Sequence, residues 1–217
     1  MNRKELAADI ISIVDQNHAY VFGGYVRDIY AEVPFTDIDI FIKRGFAVME
    51  LIKAIMAKGY IVEVAQHGND LEGYGIVDIR RQKYCVTHTS SGVYVKIDCV
   101  QSNDKANDSP FRHGTDGDIN FLKLHGGVAS LASCMCNETS FDEVVKHIQL
   151  RKFVVGDQMS QYRIRKLQNR GYTPIGVGSS SSQTDSSLKS IIVCDKCKGT
   201  GVLDFEFYKR YCDCKLR

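Results

Sequence analysis

The segment from residue 20 to residue 42, YVFGGYVRDIYAEVPFTDIDIFI, constrains the fold of this chain more than any other. A short apolar run leads into the pair Gly23-Gly24, a stretch with helical spacing follows, and acidic and apolar residues then alternate. On a strand, this alternation sends Asp37 and Asp39 to one face and their isoleucine neighbours to the other. The segment therefore predicts a strand, a glycine corner, a short helix and a second strand.

The two carboxylates and the two glycines point to a metal ion beside a phosphate. Like charges side by side on one face are unfavourable unless a cation lies between them, and carboxylate oxygens favour Mg²⁺ or Mn²⁺ over zinc. A Gly-Gly step between a strand and a helix lets the backbone approach a phosphate closely. Each motif alone is weak, because both occur in turns and on solvated strands. The ordered set is more specific, and it predicts phosphoryl or nucleotidyl transfer.

GGYVRDIY followed by TDIDIFI resembles the GG-x-V-R-D…D-x-D signature of the nucleotidyltransferases related to polymerase β, above all the branch of bacterial CCA-adding enzymes and poly(A) polymerases. The resemblance covers about residues 5–65. It implies an α/β (α+β) head domain with a small mixed sheet and helices on one side. The implied reaction moves a nucleoside monophosphate from a nucleoside triphosphate, with ATP or CTP expected, to a hydroxyl and releases pyrophosphate. It also implies that Asp37 and Asp39 hold two Mg²⁺ (or Mn²⁺) ions and that the nucleotide is bound by Gly23, Gly24, Arg27 and Asp28.

Two later segments are expected to complete this site. Asp98 lies between apolar residues in an alternating run. Such an acid is either a lone carboxylate on a wet strand face or the third metal ligand that the family implies, and we assign it the second role. Asp78 is the competing candidate. DGDINFLKL, at 116–124, resembles the family's R-R-D-F-T-I-N-A-L motif without its arginine pair, which implies nucleotide contacts for Asp116 and Asn120 and leaves ribose selection open.

Hydrophobic spacing predicts the surrounding elements. Helices are expected at 3–16, 45–58, 139–153 and 158–169, a strand at 60–65, and a hairpin turn at 90–92. The last helix carries four basic residues: Arg163, Arg165, Lys166 and Arg170. This basic face is either solvated or in contact with an acidic acceptor such as RNA. His147 is interpreted as an ordinary surface or core histidine.

The C-terminal part predicts a separate zinc module. Residues 174–190 are rich in glycine and serine and predict a flexible linker. Beyond it, C-x₂-C and C-x-C pairs separated by fourteen residues suit one structural Zn²⁺, bound by Cys194, Cys197, Cys212 and Cys214. CDKCKGTG resembles the zinc knuckle of the J-domain co-chaperones, although the second pair departs from that pattern, and a redox dithiol is the main alternative. The expected organisation is a nucleotidyltransferase domain at 1–173 (core to about 125, helical extension 126–173) and a knuckle at 191–217.

Composition and length narrow the function. The chain has 217 residues, 44% of them hydrophobic and 25% charged, which is typical of globular domains. No apolar run is long enough to span a membrane and no signal-peptide cleavage site is evident, so we expect a cytoplasmic protein without a membrane partner. The net charge of +2 is too small to indicate nucleic acid by itself.

Three functional hypotheses remain open. The first is nucleotidyl transfer to an RNA end or another nucleic acid by a reduced, phage-type enzyme, since the long helical body for tRNA and an E-D-x-x-R motif are missing from the sequence. The second keeps the reaction but has a protein or small molecule as the acceptor, as in antitoxin-like relatives. The third is a non-catalytic module that binds nucleic acid or protein through the knuckle.

Overall fold

The structure is a computed structural model, and it describes residues 1–67, 79–102, 110, 116–132, 139–175, 202–205 and 208–211. Within these residues there are five helices: α1 Arg3–Gln16, α2 Gly24–Tyr30, α3 Val48–Ala57, α4 Phe141–Gln149 and α5 Gln161–Asn169. The strands are β1 Ala19–Phe22, β2 Asp37–Ile42, β3 Tyr60–His67, β4 Ile79–His88, β5 Tyr94–Ser102, β6 Leu122–His125, β7 Val128–Leu131, β8 Lys152–Val154, β9 Thr173–Ile175, β10 Val202–Phe205 and β11 Tyr208–Tyr211. A 3-10 turn, Asp118–Asn120, precedes β6.

One mixed sheet dominates the described chain. Its strand order is β10-β11-β7-β6-β1-β2-β5-β4-β3. β2 pairs with β5 in parallel and β7 with β11 in parallel, while the remaining neighbours are antiparallel. The short strands β8 and β9 form a separate parallel pair. The α/β fold class predicted from the sequence is confirmed, and the predicted turn at 90–92 does join the paired strands β4 and β5.

The two faces of the sheet differ in what covers them. The main core lies on the face that carries Ile38, Ile40 and Ile42, where buried residues of α1 and α3 pack against the strands. A smaller core occupies the opposite face and consists of Tyr20, Phe22, Phe41, Val100, Phe121 and Ala132. Because side chains alternate along a strand, Asp37 and Asp39 share this second face with Phe41. The predicted alternation thus separates the carboxylates from the helix-covered core.

The segment after α4 departs from the prediction. A single helix was expected over 139–153, but α4 ends at Gln149 and β8 follows directly. Arg151 adopts a φ of +54°, which a helix cannot accommodate. Its carbonyl accepts a hydrogen bond of 2.8 Å from the Thr173 N–H. This contact brings β9 beside β8. The extension behind the sheet therefore consists of two helices and a strand pair.

Several expected features fall partly or wholly outside the described residues. β9 ends at Ile175, inside the segment predicted as a linker, and 176–190 lie outside the described residues. The four cysteines of the predicted zinc site and the alternative carboxylate Asp78 also lie outside them. Strand β11 pairs with β7 through the register of Lys209 and Val128. No helix in the described ranges is both long and apolar enough to cross a membrane.

Candidate active site

Three carboxylates meet on the face of the sheet opposite the main core. The parallel register of β2 and β5 places Asp39 directly beside Asp98 and Asp37 beside Lys96. Neighbouring strands lie about 4.8 Å apart, so Asp39 and Asp98 are adjacent across the strand pair. Asp98 is buried, and Asp37 and Asp39 are partly buried. The three acidic residues predicted to form one site are therefore brought together.

The charge on Asp39 is poorly compensated by its surroundings. Burial, together with the negative charges of Asp37 and Asp98, raises the pKa of Asp39 to about 7. The positive charges of Arg81 and Lys166 act in the opposite direction but are outweighed. A carboxylate that resists ionisation at neutral pH is a site where an additional cation would be stabilising.

Asp98 is held by an arginine from the neighbouring strand. Arg81 Nε donates to Asp98 Oδ1 at 2.8 Å and to Oδ2 at 2.6 Å, and Nη2 also contacts Oδ2. In the described part of the chain, no group of three or more histidine, cysteine or acidic side chains is arranged to hold a metal ion. The ion pair with Arg81 accounts for the absence of such a group among the described residues of this site, because it directs the Asp98 carboxylate towards a guanidinium. A carboxylate has about four lone-pair sites, so the donor chemistry of the three acids still fits Mg²⁺ or Mn²⁺.

The glycine corner lies against the Asp39 carboxylate. Gly23 has a φ of +69° and a ψ of −130°, a conformation that only glycine adopts readily. A Cβ on Gly23 would lie 3.5 Å from Asp39 Oδ2, and one on Gly24 would lie 3.8 Å from it. The Gly23 N–H donates to the Leu122 carbonyl at 2.8 Å. A phosphate contact at this corner would therefore have to use groups other than that N–H.

Arg27 and Asp28, expected to bind the nucleotide, are both buried and bonded to each other. Arg27 Nε and Nη2 donate to Asp28 Oδ1 at 2.8 and 2.6 Å. Arg27 Nη1 donates to Asn120 Oδ1 at 2.5 Å. The same guanidinium lies over the Tyr172 ring, 5.7 Å from its centroid. In this arrangement the pair links α2 to the 3-10 turn.

The turn that carries Asp116 and Asn120 continues this network. Asp116 Oδ1 accepts from Asn120 Nδ2 at 2.8 Å and from the Gly117 N–H at 2.8 Å. Asp118 is buried, and its Oδ1 accepts from the Val154 N–H at 2.8 Å while its Oδ2 lies 2.5 Å from His147 Nδ1. Asn120, like Arg27, is thus occupied by protein contacts. His147, interpreted as an ordinary surface or core histidine, thus has Asp118 as a specific partner.

The basic side chains of α5 reach this network from both ends. Arg163 pairs with Asp116, and Arg170 Nη1 donates to Asp28 Oδ2 at 3.1 Å. Lys166 lies between them, close enough to Asp39 and Asp37 that their charges raise its pKa, although burial and the charge of Arg163 lower it overall. Of the four basic residues predicted to be either solvated or in contact with an acceptor, Arg163 and Arg170 pair with acids of this network, while Arg165 and Lys166 are exposed.

Sequence reasoning missed three residues of this site: Asp118, His147 and Lys166 as a neighbour of the carboxylates. Arg81 was expected either beside the site, where it could meet phosphate, or at a solvated strand edge, and it pairs with Asp98 instead. Arg81 stands three residues after Asp78, and Asp118 stands inside the quoted DGDIN motif, so both segments carried some signal. The contact between His147 and Asp118 joins residues 29 positions apart and had no sequence signal that we can identify.

No protein-family model matches the chain, and no curated protein matches it. Among solved structures, an apo CCA-adding enzyme is 14% identical, with a TM-score of 0.41 over 70% of this chain and 32% of its own. The Thermotoga maritima CCA-adding enzyme complexed with tRNA(CCA) is 13% identical, with a TM-score of 0.43 over 79% of this chain and 38% of its own. The Bacillus stearothermophilus CCA-adding enzyme in complex with CTP is 18% identical, with a TM-score of 0.39 over the same shares. This chain thus spans 32% to 38% of the length of these enzymes, and the likeness is one of fold, distant and partial.

Proposed function

We propose that this chain is a metal-dependent nucleotidyltransferase that moves a nucleoside monophosphate from a nucleoside triphosphate to a hydroxyl of an RNA end or another nucleic acid. The observation that supports this proposal is the meeting of Asp37, Asp39 and Asp98 on one face of the sheet. The pKa of Asp39, raised to about 7, indicates that this face lacks positive charge. Divalent cations that accompany the triphosphate would supply that charge.

The residues would share the work as follows. Asp37 and Asp39 would hold two Mg²⁺ (or Mn²⁺) ions, and Asp98 would complete the site on the side of the acceptor. When bound, such ions lower the pKa of the acceptor hydroxyl and neutralise charge on the departing pyrophosphate. Because Gly23 and Gly24 have no side chains, the backbone there would leave room for the triphosphate beside Asp39.

The transfer itself breaks one bond and forms another. The acceptor oxygen bonds to the α-phosphorus of the triphosphate, and the bond from that phosphorus to the oxygen bridging to the β-phosphate breaks. The hydroxyl proton passes to solvent, and pyrophosphate leaves with the bonding pair. Arg27, Asp28 and Asn120 would act by keeping α2 and the 3-10 turn in place around the nucleotide, because their polar atoms bond to one another.

The C-terminal cysteines belong to this proposal as a zinc-binding module, whose strands β10 and β11 extend the main sheet at β7. Cys194, Cys197, Cys212 and Cys214 would bind one structural Zn²⁺ in a knuckle at 191–217, beyond the domain at 1–173. A short segment with little core obtains most of its folding free energy from such a metal. We propose that the knuckle engages the acceptor and takes no part in the transfer.

A labelling experiment tests the activity and identifies the acceptor. The protein is incubated with each labelled nucleoside triphosphate, Mg²⁺ and a mixture of cellular RNA and protein, and the labelled fraction is identified. Label in RNA supports the proposal. Label in protein or in small molecules would mean that the acceptor is not a nucleic acid. Asp37→Ala and Asp39→Ala should abolish labelling without unfolding the protein, whereas Asp157→Ala, at an exposed acid, should leave it unchanged. Transfer that survived either of the first two substitutions would refute the site.

The third carboxylate has its own test. Asp98→Asn should lower the transfer rate by orders of magnitude with little loss of triphosphate affinity, because its ion would serve the attacking hydroxyl. The matched variant Asp78→Asn should have a mild effect. If Asp78→Asn were the more damaging change, the third ligand would be Asp78.

A further inference from the structure

The network around the candidate site begins and ends on α5. From Arg170 it runs to Asp28, from there through Arg27 and Asn120 to Asp116, and it returns to the helix at Arg163. Arg170 Nη2 also lies 3.4 Å from Thr36 Oγ1, at the start of β2. Two anchors on one helix, seven residues apart, fix its rotation about its own axis. The side chains between them therefore have a defined direction.

Lys166 lies between these anchors on the same face of the helix. At 3.6 residues per turn, Arg163, Lys166 and Arg170 lie within an arc of about 60°, while Arg165 lies about 100° or more from each of them. The charges that act on Lys166 agree with this geometry, since they include Asp39 and Asp37 as well as both anchoring arginines. Lys166 is exposed to solvent.

The three cations differ in whether they are already engaged. Arg163 and Arg170 are paired with acids. Among the residues that the structure describes, the Lys166 ammonium has no hydrogen-bonded or ion-paired partner and interacts with the carboxylates through its charge alone. A solvent-accessible lysine beside carboxylates is a point charge suited to phosphate oxygens.

We propose that Lys166 binds the terminal phosphates of the incoming nucleoside triphosphate, with α5 held over the site by Arg163 and Arg170 to present it. This inference rests on the proposed function and names a substrate-binding residue for it. The triphosphate fits better than an acceptor phosphate, because Lys166 is near Asp37 and Asp39, where the reacting phosphates would lie. Arg163 and Arg170 are positioning residues, because their ion pairs hold the helix that carries Lys166.

The experiment compares Lys166→Met with the matched control Arg165→Met. Both changes remove one positive charge from an exposed residue of the same helix and retain an unbranched side chain. Affinities are measured by calorimetry in the presence of Mg²⁺ for a nucleoside triphosphate, the matching monophosphate, inorganic tripolyphosphate and a single-stranded RNA oligonucleotide. Loss of a charged hydrogen bond should weaken triphosphate and tripolyphosphate binding about ten- to a hundredfold in Lys166→Met. Monophosphate and RNA binding should change about twofold or less, as should all binding by Arg165→Met.

The outcomes separate this inference from the function on which it rests. If the wild-type protein bound neither the triphosphate nor tripolyphosphate, both the proposed function and the role of Lys166 would be overturned. If it bound them and Lys166→Met bound them equally well, only the role of Lys166 would be overturned. A loss of affinity confined to RNA would mean that Lys166 binds the acceptor and not the triphosphate. An equal loss of triphosphate affinity in Arg165→Met would mean that only the net charge of the helix matters. Thermal unfolding of both variants checks that the fold is retained.

Discussion

Asp39→Asn should stabilise the metal-free protein at alkaline pH. Folding raises the pKa of Asp39 from 3.8 to about 7, so the folded state holds this proton more tightly than the unfolded chain does. Such a group contributes stability that is fully present below the unfolded pKa and is lost as the pH rises through the folded one. Asparagine has no charge to lose and escapes this penalty.

The size of the effect follows from the pKa difference. A tenfold change in proton affinity corresponds to about 1.4 kcal/mol, so a pKa that moves from 3.8 to about 7 is worth at most about 4 kcal/mol. Part of that loss already occurs below pH 5. Between about pH 5 and pH 8, the wild-type protein should lose about 2 to 3 kcal/mol of stability relative to Asp39→Asn.

Part of this penalty comes from Asp37. Alternate residues on a strand are about 7 Å apart, and two unit charges at that distance interact by about 2 kcal/mol at an effective dielectric constant of about 20. Asp37→Asn should therefore lower the pKa of Asp39 from about 7 back towards its ordinary value. Carboxyl carbon NMR titration measures this change directly.

The assay is urea unfolding in the presence of a chelator, at intervals from about pH 5 to pH 8. Wild type is compared with Asp39→Asn and with Asp157→Asn, which changes an exposed acid. The gap between wild type and Asp39→Asn should widen with pH, and the Asp157→Asn gap should stay constant. Mg²⁺ added at pH 8 should restore stability to wild type alone. A gap that did not change with pH would refute the picture of an uncompensated carboxylate.

Three further predictions follow from individual contacts. Arg81→Gln should raise the pKa of Asp39 further, because the Arg81 charge lowers it; an unchanged NMR titration would contradict this. Gly117→Ala should cost about 1 to 3 kcal/mol in thermal unfolding, since its Cβ would lie 2.9 Å from a ring carbon of Phe153, and a neutral effect would mean that the ring moves freely. Metal analysis should find one zinc ion in the wild-type chain and none in Cys197→Ser, and a disulfide found instead would favour the redox alternative.

Local patterns in the sequence predict the centre of this fold well. The alternation in TDIDIFI fixes which β2 side chains enter the main core and which do not, because that depends only on the strand period. The turn at 90–92 likewise joins β4 to β5 as expected. The position of Asp98 beside Asp39 is different, since it requires β5 to pair in parallel with β2. No local pattern indicated that pairing, and the resemblance to a family implied only that Asp98 is a third metal ligand.

Contacts between distant segments were beyond sequence reasoning. Arg170 and Asp28 are 142 residues apart, and Arg163 and Asp116 are 47 apart. A row of basic residues on a helix is most often solvated, so its composition alone gives no reason to place it against acids. The direction of α5 depends on the turn at Arg151 and on the pairing of β8 with β9, neither of which the periodicity of the sequence indicated.

The signature residues of the first motif therefore divide into two groups with different physical roles. The glycines lie against the Asp39 carboxylate on the sheet face opposite the main core, where a ligand would have to bind. Arg27 and Asp28 are buried, and their hydrogen-bonding groups are directed at Asn120 and Arg170. The same motif thus supplies residues of the candidate site and the side chains that hold α5. The geometry of substrate binding should therefore depend on the position of that helix. Displacing α5 would leave the three carboxylates in their strand register, because backbone pairing sets that register. It would remove the nearby Lys166 charge, so the effects of carboxylate and helix substitutions should be separable in binding measurements.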